Sequence, residues 1–263
     1  MRNWLIVLRT AWMAIFLLSG LAWAQAPSDQ SSSKSSGGSS HDLSGIWRFQ
    51  RRPGQGAAAV PSDTVPPLTV WGKEKFAATK PGYGPRAAPG GNDPDLHCDP
   101  TGVPRALLMA GLLPFEIVQT PDRVHMFFEW QHMWREIWLN RREHVSNVGP
   151  LWLGDSIGWW EGDAFVVDTV GFNDKSWLDN NGDIHSDQMH LIERYQRVDQ
   201  NTLKLNFTID DPKAYTQPWV SDTKLFSLSP ASKGPIQEVF CASDEEDSFT
   251  NRIRMPAIPK TNN

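Results

Sequence analysis

The residues able to move a proton or hold a cation gather in the stretch WLGDSIGWWEGDAFVVDTVGFNDKSWLDNNGDIHSDQMHLIERY, residues 152–195. Asp168 ends the apolar run Phe165, Val166, Val167. A carboxylate in that place either anchors the next turn through hydrogen bonds or, desolvated, becomes a general base. His185 and His190 supply the side chains whose ordinary pKa lies nearest neutrality. Residues five apart on a regular strand face opposite sides. The two histidines therefore share a site only if His185 stays in a loop folded over the ends of the strands. In the same alternation His190, Ile192 and Arg194 share one face, and Met189, Leu191, Glu193 and Tyr195 the other. An H-x-x-E pair of His190 and Glu193 thus does not converge on a metal ion without a bulge. Metal ligation by His185 and His190 stands against a plainer role, in which both hydrogen-bond the loop shut; no metal or other cofactor is expected.

Around these groups lie others suited to a ligand. Asn173 and Asp174 can cap the loop or donate to and accept from a bound molecule, and Trp177 reads as a lid residue. In WREIW, Trp134, Glu136 and Trp138 share one strand face, and Met133, Arg135, Ile137 and Leu139 the other. Facing inward, Arg135 would pair with a carboxylate or anchor an anion; facing outward it is a surface residue, and the alternation leaves both open. Asp168, His185, His190 and Arg135 are the candidate catalytic set. Trp134, Trp138, Asn173, Asp174, Trp177 and Glu193 are the candidate ligand contacts. Asp179, Asn181 and Asp183 put oxygen atoms at the first, third and fifth positions of a loop, as calcium loops do. Glycine stands at the fourth position rather than the sixth, and His190 at the twelfth. DNNGD is therefore no EF-hand and reads as a solvent-exposed turn, a looser calcium site being the alternative.

The elements that must position these groups are short strands. LSGIWRFQRR opens the fold. FEIVQT, RVHMFFEW, MWREIWLN, IGWWEG, AFVVDTVGF, HLIERYQRVD, LKLNFTID, WVSDTKLFSLS and PIQEVFCA follow, joined by turns such as Pro121-Asp122, Gly162-Asp163 and Gln200-Asn201. Strands adjacent in sequence and joined by tight turns pair antiparallel, and closure into a barrel removes their edges. The expected fold is all-β: an antiparallel meander closed into a barrel over residues 43–243. Residues 53–104 hold much of the Pro and Gly and read as a long wrap over the outside of the sheet or across one end. A single short helix is expected in it over residues 69–80, capped by Thr69.

The N-terminus carries Arg2 and Arg9, an apolar run from Ala11 to Leu21, and the small-x-small triplet Ala22-Trp23-Ala24. That pattern predicts a signal peptide over 1–24, cleaved near Ala24, with export to the periplasm or beyond. Residues 25–42 are a Ser/Gly-rich flexible linker, and 244–263 a loosely ordered tail. In an oxidising compartment Cys98 and Cys241 are expected to form a staple. The net charge of −5 has no basic block, which argues against nucleic acid as a partner. No stable membrane anchor and no protein partner is indicated.

The opening Gly45-Ile46-Trp47 resembles the G-x-W motif at the first strand of lipocalin-type barrels. A longer set resembles a largely uncharacterised family of exported bacterial proteins: PLTVWGKEKF, NDPDLHCDPTGVPR, PFEIVQTPDRVHMFFEW, WREIW, GDSIGWWEGDAFVVDTVGFND, SWLDNNG, HSDQMHLIERY and TIDDPKAYTQPW, spread over residues 43–241. The resemblance implies a β-rich, lipocalin-like fold and brings no activity with it. Where that family shows Asp-Gly-Arg after WREIWL, this chain has Asn140-Arg141-Arg142.

The 13 tryptophans suit either a core or the walls of an aromatic site. The sequence lacks a nucleophile elbow, a Walker loop, a zincin helix and paired C-x-x-C. The reading is an exported barrel that binds a hydrophobic or aromatic small molecule in a Trp-lined pocket. The alternative is a cofactor-independent isomerase, hydratase, lyase or hydrolase working with His and Asp residues at the barrel mouth.

Overall fold

A computed structural model describes residues 41–50, 60–82, 84–109, 113–147 and 149–241. The expected signal peptide, the linker up to residue 40 and the C-terminal tail lie outside the described residues. Strand β1 (Gly45–Phe49) is followed by helix α1 (Val70–Ala78) and the short helix α2 (Arg105–Met109). The sheet continues with β2 (Phe115–Gln119), β3 (Arg123–Phe128), β4 (Trp134–Trp138), β5 (Asp155–Glu161), β6 (Ala164–Val170), β7 (His190–Arg197), β8 (Thr202–Asp210), β9 (Trp219–Val220) and β10 (Lys224–Leu228).

Period-two alternation drives the closure. On β3, Val124, Met126 and Phe128 are buried; on β8, Leu203, Leu205, Phe207 and Ile209 are. Each strand from β1 to β8 pairs with the next, β10 returns to β1, and the outer edge of β8 is shared by β9 and β10. The result is a closed barrel of lipocalin-like type, in which β1–β8 and β10 form the ring. Its interior is filled by side chains: Trp47, Phe115, Phe165, Tyr195, Phe207 and Phe226 are essentially inaccessible. A small barrel is just wide enough to be packed in this way.

Three expectations of the meander need correction. The strands β4 and β5 are parallel, with Ile137 opposite Ser156 and Trp138 opposite Ile157. Residues 139–154 must therefore cross back from one end of the barrel to the other, a connection that a tight turn cannot make. WVSDTKLFSLS is broken into β9 and β10, because Ser221 leaves the strand pattern to hold the Phe207 amide with its hydroxyl at 2.8 Å. PIQEVFCA is no strand; it contributes a single bridge between Val239 and Trp130.

The Pro/Gly-rich segment holds the expected helix. Thr69 caps α1 by accepting from the Gly72 amide at 3.0 Å. An unexpected second helix, α2, follows directly after the segment, and Ala106, Leu107 and Leu108 of α2 enter the core. The segment lies against the loop after β8, where the Thr69 amide bonds the Ala214 carbonyl at 2.9 Å. The Cys98–Cys241 disulfide ties it to the last of the described residues, across a Cα–Cα distance of 5.3 Å.

Candidate functional site

Inside the barrel, Arg135 and Glu193 form an ion pair at 2% and 0% exposure. Both Nη atoms of Arg135 donate to the Glu193 carboxylate, Nε donates to Ser156 Oγ at 3.1 Å, and Nη2 also donates to Thr169 Oγ1 at 2.7 Å. The Tyr195 hydroxyl donates to Glu193 Oε1 at 2.7 Å. Burial alone would lower the Arg135 pKa, but the adjacent carboxylate outweighs it and holds the guanidinium charged. Burial, with Glu193 alongside, pushes the Tyr195 phenol well above its ordinary value. Arg135 and Glu193 spend themselves on one another, and Arg135, almost wholly buried, only borders an outer cleft. The pair is the polar centre of the core.

The outer wall is different. Asp155, Ile157 and Trp159 of β5, Asp168 of β6 and His190 of β7 all project outward, and the register sets Ile157 directly opposite Asp168. Asp168 in turn pairs with Ile192, so His190, two residues before Ile192, is its diagonal neighbour. Asp168 Oδ1 accepts from His190 Nε2 at 2.6 Å and lies 3.1 Å from His144 Nε2. His144 comes from the crossover, and its other nitrogen lies 3.0 Å from Asp155 Oδ2. Arg141 closes the row on Asp155 Oδ1 at 3.0 Å while stacking on Trp138 at 3.7 Å.

The row is accessible: the His190 and Asp168 side chains are 35% and 23% exposed. Hydrogen bonding to Asp168 raises the His190 pKa against the effect of burial, with Asp210 adding to it. Burial would raise the Asp168 carboxyl, but the bonds from His190 and His144 outweigh it and hold it below the usual range. Beside the row opens a cleft of about 490 Å³ lined by Arg141, Arg142, Ile157, Trp159, Trp160 and Asp168. A second cleft of about 310 Å³ reaches Trp134, Trp138, Leu151, Leu153 and Asp155.

A third group sits in the loop between β6 and β7. His185 is buried, with Nδ1 3.1 Å from the Ser186 carbonyl and Nε2 2.9 Å from Ser176 Oγ. The carbonyl can only accept, so the proton is on Nδ1 and Ser176 donates to Nε2. Burial pushes the imidazole pKa down. A serine donating to a neutral histidine is the pairing of an activated nucleophile. The cavity it lines, with Asp174, Trp177 and the α1 residues Trp71, Lys75 and Ala78, is about 150 Å³, below the roughly 300–1,000 Å³ of small-molecule pockets. Trp177 lines this cavity while packing in the core cluster and bridging to Ile184. Asn173 Oδ1 accepts from the Lys175 amide at 3.0 Å, a turn-forming bond.

The expected catalytic set therefore divides three ways: Arg135 in the core, His185 in the loop, and Asp168 with His190 on the outer wall. His185 and His190 engage different partners and do not converge. Trp134 and Trp138 face outward, away from the barrel interior. Among the described residues no three His, Cys, Asp or Glu side chains are grouped to hold a metal ion. Sequence reasoning missed His144, Asp155 and Ser176. The first two become visible only once the crossover is known, because an antiparallel hairpin would put residue 144 elsewhere. No protein-family model, curated protein or solved structure matches this chain. No helix of the described residues is long and apolar enough to cross a membrane.

Proposed function

We propose that the protein binds a hydrophobic or aromatic small molecule carrying an acidic group, and that it does so in the Trp-lined cleft on the outer wall. The carrying observation is the cleft lined by Trp159, Trp160 and Ile157 with Arg141, Arg142 and Asp168. Indole faces supply area for a planar apolar body, and an exposed guanidinium suits a carboxylate or sulfate bidentately. Its volume of about 490 Å³ falls within the range of small-molecule sites, while the packed interior leaves the core to structure. The disulfide suits an exported protein.

The test is a titration of intrinsic Trp fluorescence with aromatic carboxylates and their neutral amides. Carboxylates should bind more tightly than amides, and Arg142→Ala and Trp159→Ala should each weaken them by about tenfold, the equivalent of roughly 1.4 kcal/mol. Binding that ignores both substitutions would remove the cleft from the account.

A second reading has its own support. His190, its pKa raised by the bond to Asp168, which His144 also approaches, is a poised proton donor beside the same cleft. A cofactor-independent isomerase, hydratase, lyase or hydrolase would use His190 as acid and Asp168 to orient it. In that case His190→Gln removes turnover of the bound compound while its affinity stays within a few-fold. Unchanged turnover in His190→Gln would remove His190 from the chemistry, and no turnover in the wild-type protein would leave binding as the whole function.

A further inference from the structure

The DNNGD segment is not the exposed turn that its composition suggests. Asp179 and Asp183 are buried, at 0% and 3% exposure. Asp179 Oδ1 accepts from the amides of Asn181 and Asp183 at 2.9 and 3.0 Å, and the Leu178 amide bonds the Asp183 carbonyl at 2.7 Å. The chain is thereby folded into a tight loop around the side chains of residues 179, 181 and 183. Gly182 is at φ +86°, and a Cβ there would meet Thr79 Oγ1 at 2.5 Å. The loop is consequently pressed against the end of α1.

Three oxygen atoms in this loop are sealed from solvent and make no well-formed hydrogen bond among the described residues: Asp179 Oδ2, Asn181 Oδ1 and Asp183 Oδ1; the nearest donor to the Asp183 carboxyl is the Asn181 side chain of the same loop. The two carboxyl groups lie against each other, each within the other's hydrogen-bonding reach. Leaving such groups unpartnered costs several kcal/mol. The neighbouring cations do not satisfy them. Arg105 forks onto Asp93 at 2.7 and 2.6 Å and gives its Nε to Asn180 Oδ1 at 2.9 Å. Arg86 donates to Thr79 Oγ1 and to the carbonyls of Phe76, Thr79 and Asn181. A proton shared by the two carboxyls would satisfy two of the three oxygens and leave the amide oxygen orphaned. A cation held among the three side chains would satisfy them together.

We propose that Asp179, Asn181 and Asp183 bind a Ca²⁺ ion through these three side-chain oxygens. An all-oxygen set with two carboxylates and an amide carbonyl at alternate loop positions is the donor chemistry of a hard cation, and a loop of this kind accommodates the irregular geometry of Ca²⁺. The ion would fix the segment that carries Trp177 and His185 and hold it to α1. The site is separate from the outer-wall cleft and would act as a structural staple.

The test uses the mature protein stripped with a chelator. Tb³⁺ excited through the protein should luminesce, because Trp177 lies two residues from Asp179, and Ca²⁺ should displace it. Ca²⁺ at a hundredfold excess over its Kd should raise the melting temperature by several degrees. Asp183→Asn should fold, since it removes the repulsion between carboxylates, and should lose both responses. Asn181→Ala, at a partly exposed position, should shift the Ca²⁺ midpoint to roughly tenfold higher concentration or more. Absence of both responses in the wild-type protein overturns the proposal. So does a full response retained in Asn181→Ala and Asp183→Asn together.

Discussion

Two carboxylate–cation pairs, on opposite sides of one sheet, show how position decides what a residue type can do. Glu193 and Arg135 face inward, at 0% and 2% exposure, with Ser156, Thr169 and Tyr195 completing their bonds. Asp168 and His190, on β6 and β7, face outward, at 23% and 35% exposure, and open on a cleft. The inner pair is closed: its bonds go to protein, so it fixes strand register and is unavailable to a ligand. The outer pair holds a proton where solvent and a ligand can reach it. Both charge types came from the same alternating strands, and a one-residue change of register would exchange the two roles.

The largest expected effect is on the inner pair. Glu193→Ala leaves Arg135 charged in the core and should cost about 3–5 kcal/mol in chemical denaturation. A loss below about 1 kcal/mol would show that the core relaxes around a lone guanidinium and would dissolve the contrast. Ser156→Ala removes the acceptor of Arg135 Nε and the hydroxyl bond to Thr169 Oγ1 at 3.1 Å, and should cost about 1–3 kcal/mol in the same experiment. On the outer wall, Asp168→Asn should change stability by less than about 1 kcal/mol, since both partners are solvated.

The smallest effect is a titration. His190 faces Asp168 on β6, which also accepts from His144 of the crossover with Asp155 behind it, and Asp210 opposite on β8. Its folded-state pKa lies above the ordinary 6.5. The stabilisation it contributes is complete below pH 6.5 and is lost as the pH rises through the raised value. Asp168 lies below its ordinary 3.8, so its contribution is present above that pH and lost as the pH falls through the lowered value. Histidine NMR should place the His190 midpoint above that of a free imidazole, and Asp168→Asn should return it toward 6.5. A midpoint unmoved by that substitution would separate His190 from the carboxylate.

Much of the fold was legible because alternation is a local signal. The pattern of HLIERY already put Glu193 with Leu191 and Tyr195 and set His190 apart, and all three of the former are buried. WREIW likewise separated Arg135 from Trp134 and Trp138. Which of the two faces was inward could not be read for β4, because Arg and Trp are both at home in either place. The crossover at 139–154 carries no helix that would signal a parallel step, so His144 and Asp155 stayed invisible as partners of Asp168. DNNGD misled for a different reason. Its polar composition predicts exposure, and its burial comes from the distant α1 and from Tyr215, whose hydroxyl bonds the Ile184 carbonyl at 2.6 Å.

Two tryptophans report on the two sides of the wall. The Trp47 indole, inside the barrel, donates to the Leu43 carbonyl at 2.9 Å, and the Trp159 indole, outside, donates to Glu161 Oε1 at 2.9 Å. Indole N–H spectra of ¹⁵N-labelled protein, recorded while aromatic carboxylates are added, test the central claim most directly. The account predicts that the Trp159 resonance moves with ligand concentration while that of Trp47 stays still. Movement of Trp47 with Trp159 unchanged would put the ligand inside the barrel and contradict it.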